Sequence, residues 1–254
     1  GDPDLRFEED PVRSLRAIRF CTKLNFKINN NIKEAIYKKG HLLSSVSNAR
    51  LFDEFCKIFL NGMAEKNFNK LVSFGLNKYL VSTNLNGCEF SNQLIIEALR
   101  NTDNRIKNNQ SVTPGFLIAA LLWPQLIKKS LKGNEINLKK FFRSMDSILR
   151  NQQKITAIPR KFHTYIKDIW VLQLKLHSRI GKQPFKTLKH PRFRAAYDFL
   201  LVREKAAAKT KDLGFWWTEF QKNNEDLKKK LINDLKKNNL EESSKIFGFS
   251  KELR

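Results

Sequence analysis

Residues 9–21 read Glu9-Asp10-Pro11-Val12-Arg13-Ser14-Leu15-Arg16-Ala17-Ile18-Arg19-Phe20-Cys21. An aspartate directly before a proline is a helix start, because the carboxylate caps free N–H groups and proline lacks only an N–H that the first turn leaves unpaired. Arg13, Arg16 and Arg19 then recur every third residue and fan across roughly 120° of one side. Leu15, Ile18 and Cys21 fall on the opposite side, where they can pack. From the pattern alone the arginine face is either a solvated surface ion-paired with Glu9 and Asp10, or a set of donors aimed at a ligand.

The same punctuation recurs down the chain. Thr113-Pro114 precedes Phe116, Leu117 and Leu121, and after Pro159 the residues Phe162, Ile166, Ile169, Leu172 and Leu176 keep the 3–4 spacing of an amphipathic helix. Pro124 and Gly181 are expected to act as stops. Period-two alternation is never sustained and no internal repeat is visible, so the fold class is all-α.

The 254 residues carry 48 basic and 25 acidic side chains, a formal charge of +23. That surplus favours a polyanionic partner, although the Asn- and Lys-rich composition of AT-biased coding would also produce it. Residues 1–56 hold ten basic and eight acidic groups, whereas residues 182–211 hold nine and two. The surplus therefore sits towards the C-terminal half. The most apolar run, Gly115 to Trp123, is nine residues long, too short for a membrane span or for a signal peptide with its flanks; a cytoplasmic location without membrane contact is expected. Cys21, Cys56 and Cys88 suit neither a disulfide framework nor a zinc site. His41, His163, His177 and His190 are scattered and read as surface or packing residues, so no metal site is expected.

Gly1-Asp2-Pro3, Arg6-Phe7, Glu9-Asp10-Pro11-Val12-Arg13, Leu15-Arg16-Ala17 and Arg19-Phe20 together resemble the E-D-x-x-R element of the class II tRNA nucleotidyltransferase/poly(A) polymerase family. Arg50-Leu51-Phe52-Asp53-Glu54, following Val46-Ser47, resembles the family's R-x-x-x-E element. The resemblance implies that Asp10 and Arg13 bind the nucleotide base, supported by Glu9, Arg16, Arg50 and Glu54. Adenine and cytosine pair an exocyclic amino donor with an unprotonated ring nitrogen, so a carboxylate and a guanidinium satisfy them and leave guanine and uracil mismatched. Unpaired polar groups in such a site discriminate by about 10⁴–10⁵.

Further motifs resemble the bacterial poly(A) polymerase branch and extend the likeness to about residue 222: Ala157-Ile158-Pro159-Arg160, Asp168-Ile169-Trp170, His190-Pro191 with Phe193-Arg194-Ala195-Ala196-Tyr197-Asp198, and Trp216-Trp217 with Glu219-Phe220. Composition divides the chain into residues 1–80, residues 81–180, a basic and aromatic 181–222, and a charged tail over 223–254 expected to form one marginal helix followed by disorder; the resemblance makes the first a neck that recognises the base, the second a helical body and the third an RNA-binding region. Arg160, Lys161, Lys189, Arg192, Arg194 and Lys205 are the candidate phosphate partners, with Trp216, Trp217 or Tyr197 able to stack on a base if exposed.

The implied reaction adds AMP from ATP to RNA 3′ ends, and it needs Mg²⁺ held by carboxylates. The family supplies these from a head carrying Gly-Ser and Asp-x-Asp. None of the ten glycines here is followed by serine, and Asp2-Pro3-Asp4, the lone Asp-x-Asp, lies in a proline-containing lead-in to a helix. The chain alone is expected to be inactive and to lack that head. RNA is the expected partner, with RNA-degradation machinery or an RNA chaperone as candidates, and a monomer is expected. Two other readings stay open: a CCA-adding tRNA nucleotidyltransferase, which shares the base-reading pair, and a non-catalytic, basic RNA-binding helical protein.

Overall fold

A computed structural model describes residues 2–82, 89–133, 135–206, 208, 210 and 212–237. Among them are thirteen α-helices and one pair of two-residue strands. The helices are α1 (Pro3–Glu9), α2 (Val12–Leu24), α3 (Asn30–Lys39), α4 (Asn48–Phe59), α5 (Ala64–Ser73), α6 (Glu89–Lys107), α7 (Pro114–Ser130), α8 (Leu138–Gln153), α9 (Arg160–Leu176), α10 (Gln183–Leu188), α11 (Phe193–Lys205), α12 (Leu213–Lys222) and α13 (Glu225–Lys237). Strands β1 (Leu131–Lys132) and β2 (Glu135–Ile136) form a short antiparallel hairpin joining α7 to α8.

The Pro3 segment is a helix rather than a lead-in. Asp2 caps it by accepting from the Asp4 N–H at 2.9 Å, and Asp4 pairs with Lys38 of α3 at 2.8 Å. The second helix begins where Asp10-Pro11 places it, with the Asp10 carboxylate accepting from the Val12 N–H at 3.3 Å. Thr113 likewise caps α7 through the Phe116 N–H at 3.2 Å. The apolar residues after Pro159 lie on α9, with Ile166, Ile169, Leu172 and Leu176 all buried.

Pro124 does not stop α7, which runs through it to Ser130. A proline inside a helix costs about 3 kcal/mol or more. Here Trp123, Leu126 and Ile127, on either side of it, are almost wholly buried, and each such side chain contributes about 1.5–3 kcal/mol. Tertiary packing outweighs the local break. Alpha-7 is the central helix of the larger core, packed against α6, α8 and α9. The Trp123 ring meets Phe199 edge-on at 5.5 Å, and the Trp170 indole donates to the Ala119 carbonyl at 2.9 Å.

That core draws residues from Phe7 through Ala206, so α1–α5 and α6–α9 share one hydrophobic interior. A second cluster joins Leu172 and Leu176 of α9 to α11, α12 and Ile232 of α13. Buried Arg203 lies between the two. Its guanidinium donates to Gln173 at 2.9 Å and stands 4.8 Å from the Trp123 ring centroid. The charged segment after Asn223 forms one helix, α13, and residues 238–254, where disorder is expected, lie outside the described residues.

Candidate nucleotide-base and RNA interface

The base-reading candidates are assembled by α1, α2 and α4. Val12, Leu15 and Ile18 are fully buried and fix the roll of α2, which turns Arg13, Arg16 and Arg19 away from the core. On α4, buried Leu51, Phe55 and Ile58 leave Arg50, Glu54 and Lys57 on the side that meets α2, where Glu54 is itself covered. The two polar faces then meet. Asp10, at the α1–α2 junction, receives Arg50 Nη2 at 2.8 Å on Oδ1 and 2.9 Å on Oδ2. Arg13 Nε stands 3.8 Å from Oδ2 of the same carboxylate.

One turn further on, Arg16 directs Nε and Nη2 at Glu54 Oε1, at 3.3 and 3.2 Å, and Lys57 Nζ reaches the same oxygen at 3.0 Å. Glu54 is buried, and its second oxygen has no hydrogen-bond partner among the described residues. Arg19 lies 4.4 Å over the Phe20 ring. Five of the six base-site candidates thus fall in two separate polar clusters between α2 and α4, Asp10 with Arg13 and Arg50, and Glu54 with Arg16. Glu9 is in neither. Its carboxylate faces Arg6 at 3.5 Å on an exposed surface.

The RNA candidates Arg160, Lys161, Lys189, Arg192, Arg194 and Lys205 are all exposed, but they do not form one patch. Arg192 and Arg194 line a cleft of about 220 Å³ between α6, the N-terminus of α7, α9 and α11. Arg194 and Lys205 line a neighbouring cleft of about 260 Å³. Lys189 belongs to a separate groove beside α13, and Arg160 and Lys161 sit in the first turn of α9. The residue that sequence reasoning missed is Arg105 on α6, which borders both clefts and donates to Asp198 at 3.2 Å and to the Ser111 carbonyl at 3.0 Å. Between Arg100 and Lys107 it belongs to no recurring basic pattern, so nothing in the sequence flagged it.

The aromatics considered for stacking are buried. Trp217 is fully enclosed and donates to the Leu176 carbonyl at 2.9 Å; Tyr197 bonds Thr218 at 2.6 Å; Trp216 stacks on Phe220 at 4.7 Å. These rings build the second core and are not available to a base. Among the described residues no group of three or more His, Cys, Asp and Glu could hold a metal ion. Asp2 and Asp4 are taken by a helix cap and an ion pair, so the residues present do not fit a divalent cation. Burial, then the nearby Arg203 and Arg179, push His177 down to about 3. Burial beside Asp53 pushes the Cys56 thiol up to about 11, which leaves it a poor nucleophile. No helix of the described residues is long and apolar enough to cross a membrane.

Two family profiles match. Residues 25–83 match the "Probable RNA and SrmB- binding site of polymerase A", and residues 134–246 match the "Polymerase A arginine-rich C-terminus". Poly(A) polymerase I of Salmonella typhi is 37% identical over 246 residues, covering 92% of this chain and 53% of that protein. These residues belong to the poly(A) polymerase family. The Haemophilus influenzae poly(A) polymerase I is 35% identical over 244 residues, again covering 92% of this chain and 54% of the relative. The chain thus spans about half the length of these poly(A) polymerases. A CCA-adding enzyme of Anoxybacillus flavithermus is 40% identical, but over only 80 residues, 32% of this chain.

Proposed function

We propose that the intact protein is a polynucleotide adenylyltransferase that adds AMP from ATP to RNA 3′ ends, marking RNA for turnover in the cytoplasm. Residues 1–80 recognise the base in this reading, residues 81–180 form the body, residues 181–222 bind RNA, and residues 223–254 are a charged tail. In this reading Mg²⁺ is held by carboxylates of a head domain outside these 254 residues.

The observation that carries the reading is the cluster in which Arg50 holds Asp10 while Arg13 stays within 3.8 Å of the same carboxylate. A carboxylate fixed from behind can accept the adenine amino hydrogen. Arg13, 45% exposed on its side chain, can donate to the ring nitrogen. Guanine and uracil would face each group with its own kind. Arg16, Glu54 and Lys57 brace α2 against α4, and Glu9 contributes negative charge at the junction. The profile over residues 25–83 names SrmB as well as RNA, which makes the same segment our candidate for a protein contact; RNA-degradation machinery is the other partner we assign to the intact enzyme.

The 80-residue likeness to a CCA-adding enzyme favours one alternative, since that reaction needs the same base-reading pair. The test uses the intact protein, wild type and Arg13→Ala, with each of the four NTPs on an unstructured RNA primer and on tRNA lacking its end. Long ATP-only tails that collapse in Arg13→Ala support polyadenylation. Addition confined to C, C and A on tRNA overturns it, and tailing indifferent to Arg13 overturns the base-reading assignment.

A further inference from the structure

The cleft between α6, α7, α9 and α11 is built by residues far apart in sequence. Arg105 comes from the end of α6, Val112 from the loop before α7, Phe116 from the first turn of α7, Tyr165 from α9, and Arg192 and Arg194 from the segment entering α11. Asp198 organises its cationic side. Arg105 Nη1 donates to Oδ2 at 3.2 Å and Arg194 Nε to Oδ1 at 3.0 Å, with the carboxylate itself largely enclosed. Arg192 lies over the Tyr165 ring, its guanidinium carbon 5.0 Å from the centroid.

Three guanidiniums against one carboxylate leave the cleft two charges positive. Asp198 holds Arg105 and Arg194 in place before any ligand arrives, which lowers the ordering cost of binding an anion. Val112, Phe116 and Ala195 supply apolar lining to the same cleft. A site joining an apolar lining to a cationic rim fits a nucleotide, whose base is a flat apolar face and whose phosphate is an anion. At about 220 Å³ it is smaller than the roughly 300–1,000 Å³ of a drug-sized site, so it has room for one base.

The neighbouring cleft shares Arg105, Arg194 and Asp198 and continues to Lys205. A positive track running from one cavity into the next suits a polymer of phosphates better than a single small anion.

We propose that this cleft binds one nucleotide of single-stranded RNA, its base against Val112 and Phe116 and its phosphate at Arg192 and Arg194, with the strand passing on along Lys205. The inference deepens the RNA-binding part of the proposed function and rests on it. It assigns Arg105 and Asp198 as positioning residues and gives the strand a base-holding subsite that the buried tryptophans cannot provide.

Val112→Trp fills the cleft without altering charge. Fluorescence anisotropy on the 254-residue chain compares a labelled oligoadenylate with a strand of equal length made of base-free ribose phosphates. Wild type is expected to prefer the oligoadenylate by roughly tenfold, the size of one base-stacking contact. Val112→Trp should abolish that preference, while Lys139→Ala, exposed on α8 away from the cleft, should keep it. Circular dichroism checks that the variant is folded; should it not be, exposed Arg194→Ala carries the test, with an expected fall of about 0.7 in the salt slope for one lost phosphate contact. A folded Val112→Trp that retains the preference, or an unchanged slope in Arg194→Ala, overturns the cleft and leaves RNA binding standing. Failure of the wild-type chain to bind either strand overturns both.

Discussion

Arg50 holds Asp10 through a single nitrogen, Nη2, which lies 2.8 Å from one carboxylate oxygen and 2.9 Å from the other. A forked, two-nitrogen grip is absent from this pair, so the contact needs a point donor more than a planar guanidinium. For the intact enzyme we therefore expect Arg50→Ala to lower kcat/KM for ATP by about 10- to 100-fold and to narrow the preference for ATP over GTP, because Asp10 is free to turn. Arg50→Lys should recover part of both. Single-nucleotide incorporation with each NTP reads this out, and an unchanged ATP-to-GTP ratio in Arg50→Ala would remove Arg50 from base recognition.

Glu54 and its two partners differ in burial: Glu54 is 1% exposed on its side chain, Arg16 41% and Lys57 49%. Removing the acid releases two cations that already reach water. Removing both cations leaves a buried carboxylate uncompensated, which costs about 3 kcal/mol or more. The double variant Arg16→Ala/Lys57→Ala should lose that much in urea unfolding, and Glu54→Leu about 1 kcal/mol or less, since its volume is kept. The opposite order of midpoints would mean that Glu54 is not carrying a charge that matters to the fold.

The helix starts at Asp10 and Thr113 were legible because capping chemistry is local: one oxygen and one N–H a few residues away. The amphipathic α9 was legible for the same reason, as its apolar spacing is a property of one helix. Pro124 misled because its effect is decided by what Trp123 and Leu126 pack against, and those partners lie on other helices. Within the site, the motif strings placed Asp10, Arg13, Arg16, Arg50 and Glu54 in a common neighbourhood, yet only the packing of α2 on α4 gives the pairing of Arg50 with Asp10. Arg105 was invisible for a related reason. Its role is created by Asp198, 93 positions away, and no spacing rule spans such a distance in an all-helical chain.

His177 makes stability depend on pH. Its folded value is about 3 against 6.5 for the free side chain, with burial the main cause and Arg203 and Arg179 adding repulsion. Above pH 6.5 both folded and unfolded chains hold it neutral, and it adds no pH dependence. Between pH 6.5 and about 3 the unfolded chain takes a proton that the folded chain refuses, so stability falls with falling pH at about 1.4 kcal/mol per unit. Urea midpoints at pH 7, 6 and 5 for wild type and His177→Gln isolate this part. The variant should lose less stability than wild type on acidification; parallel curves would show that His177 takes up its proton without unfolding the chain.

The salt dependence of RNA binding should separate clustered cations from dispersed ones. Arg192, Arg194 and Lys205 share the two clefts around Arg105, whereas Lys189 lies in its own groove beside α13. Each phosphate neutralised on a single strand contributes about 0.7 to the slope of log K against log salt. If one strand runs through the clefts, the triple variant Arg192→Ala/Arg194→Ala/Lys205→Ala should lower the slope by about 2 and weaken binding of different RNA sequences to similar extents. Lys189→Ala should lower it by no more than about 0.7. Arg105 is held by Asp198 and the Ser111 carbonyl, so Arg105→Ala should act mainly by leaving Asp198, and Arg194 bound to it, free to turn, with a slope change smaller than that of Arg194→Ala. Equal slopes for the triple variant and wild type would place the RNA path on another face, and the first turn of α9, with Arg160 and Lys161, is where it would next be sought.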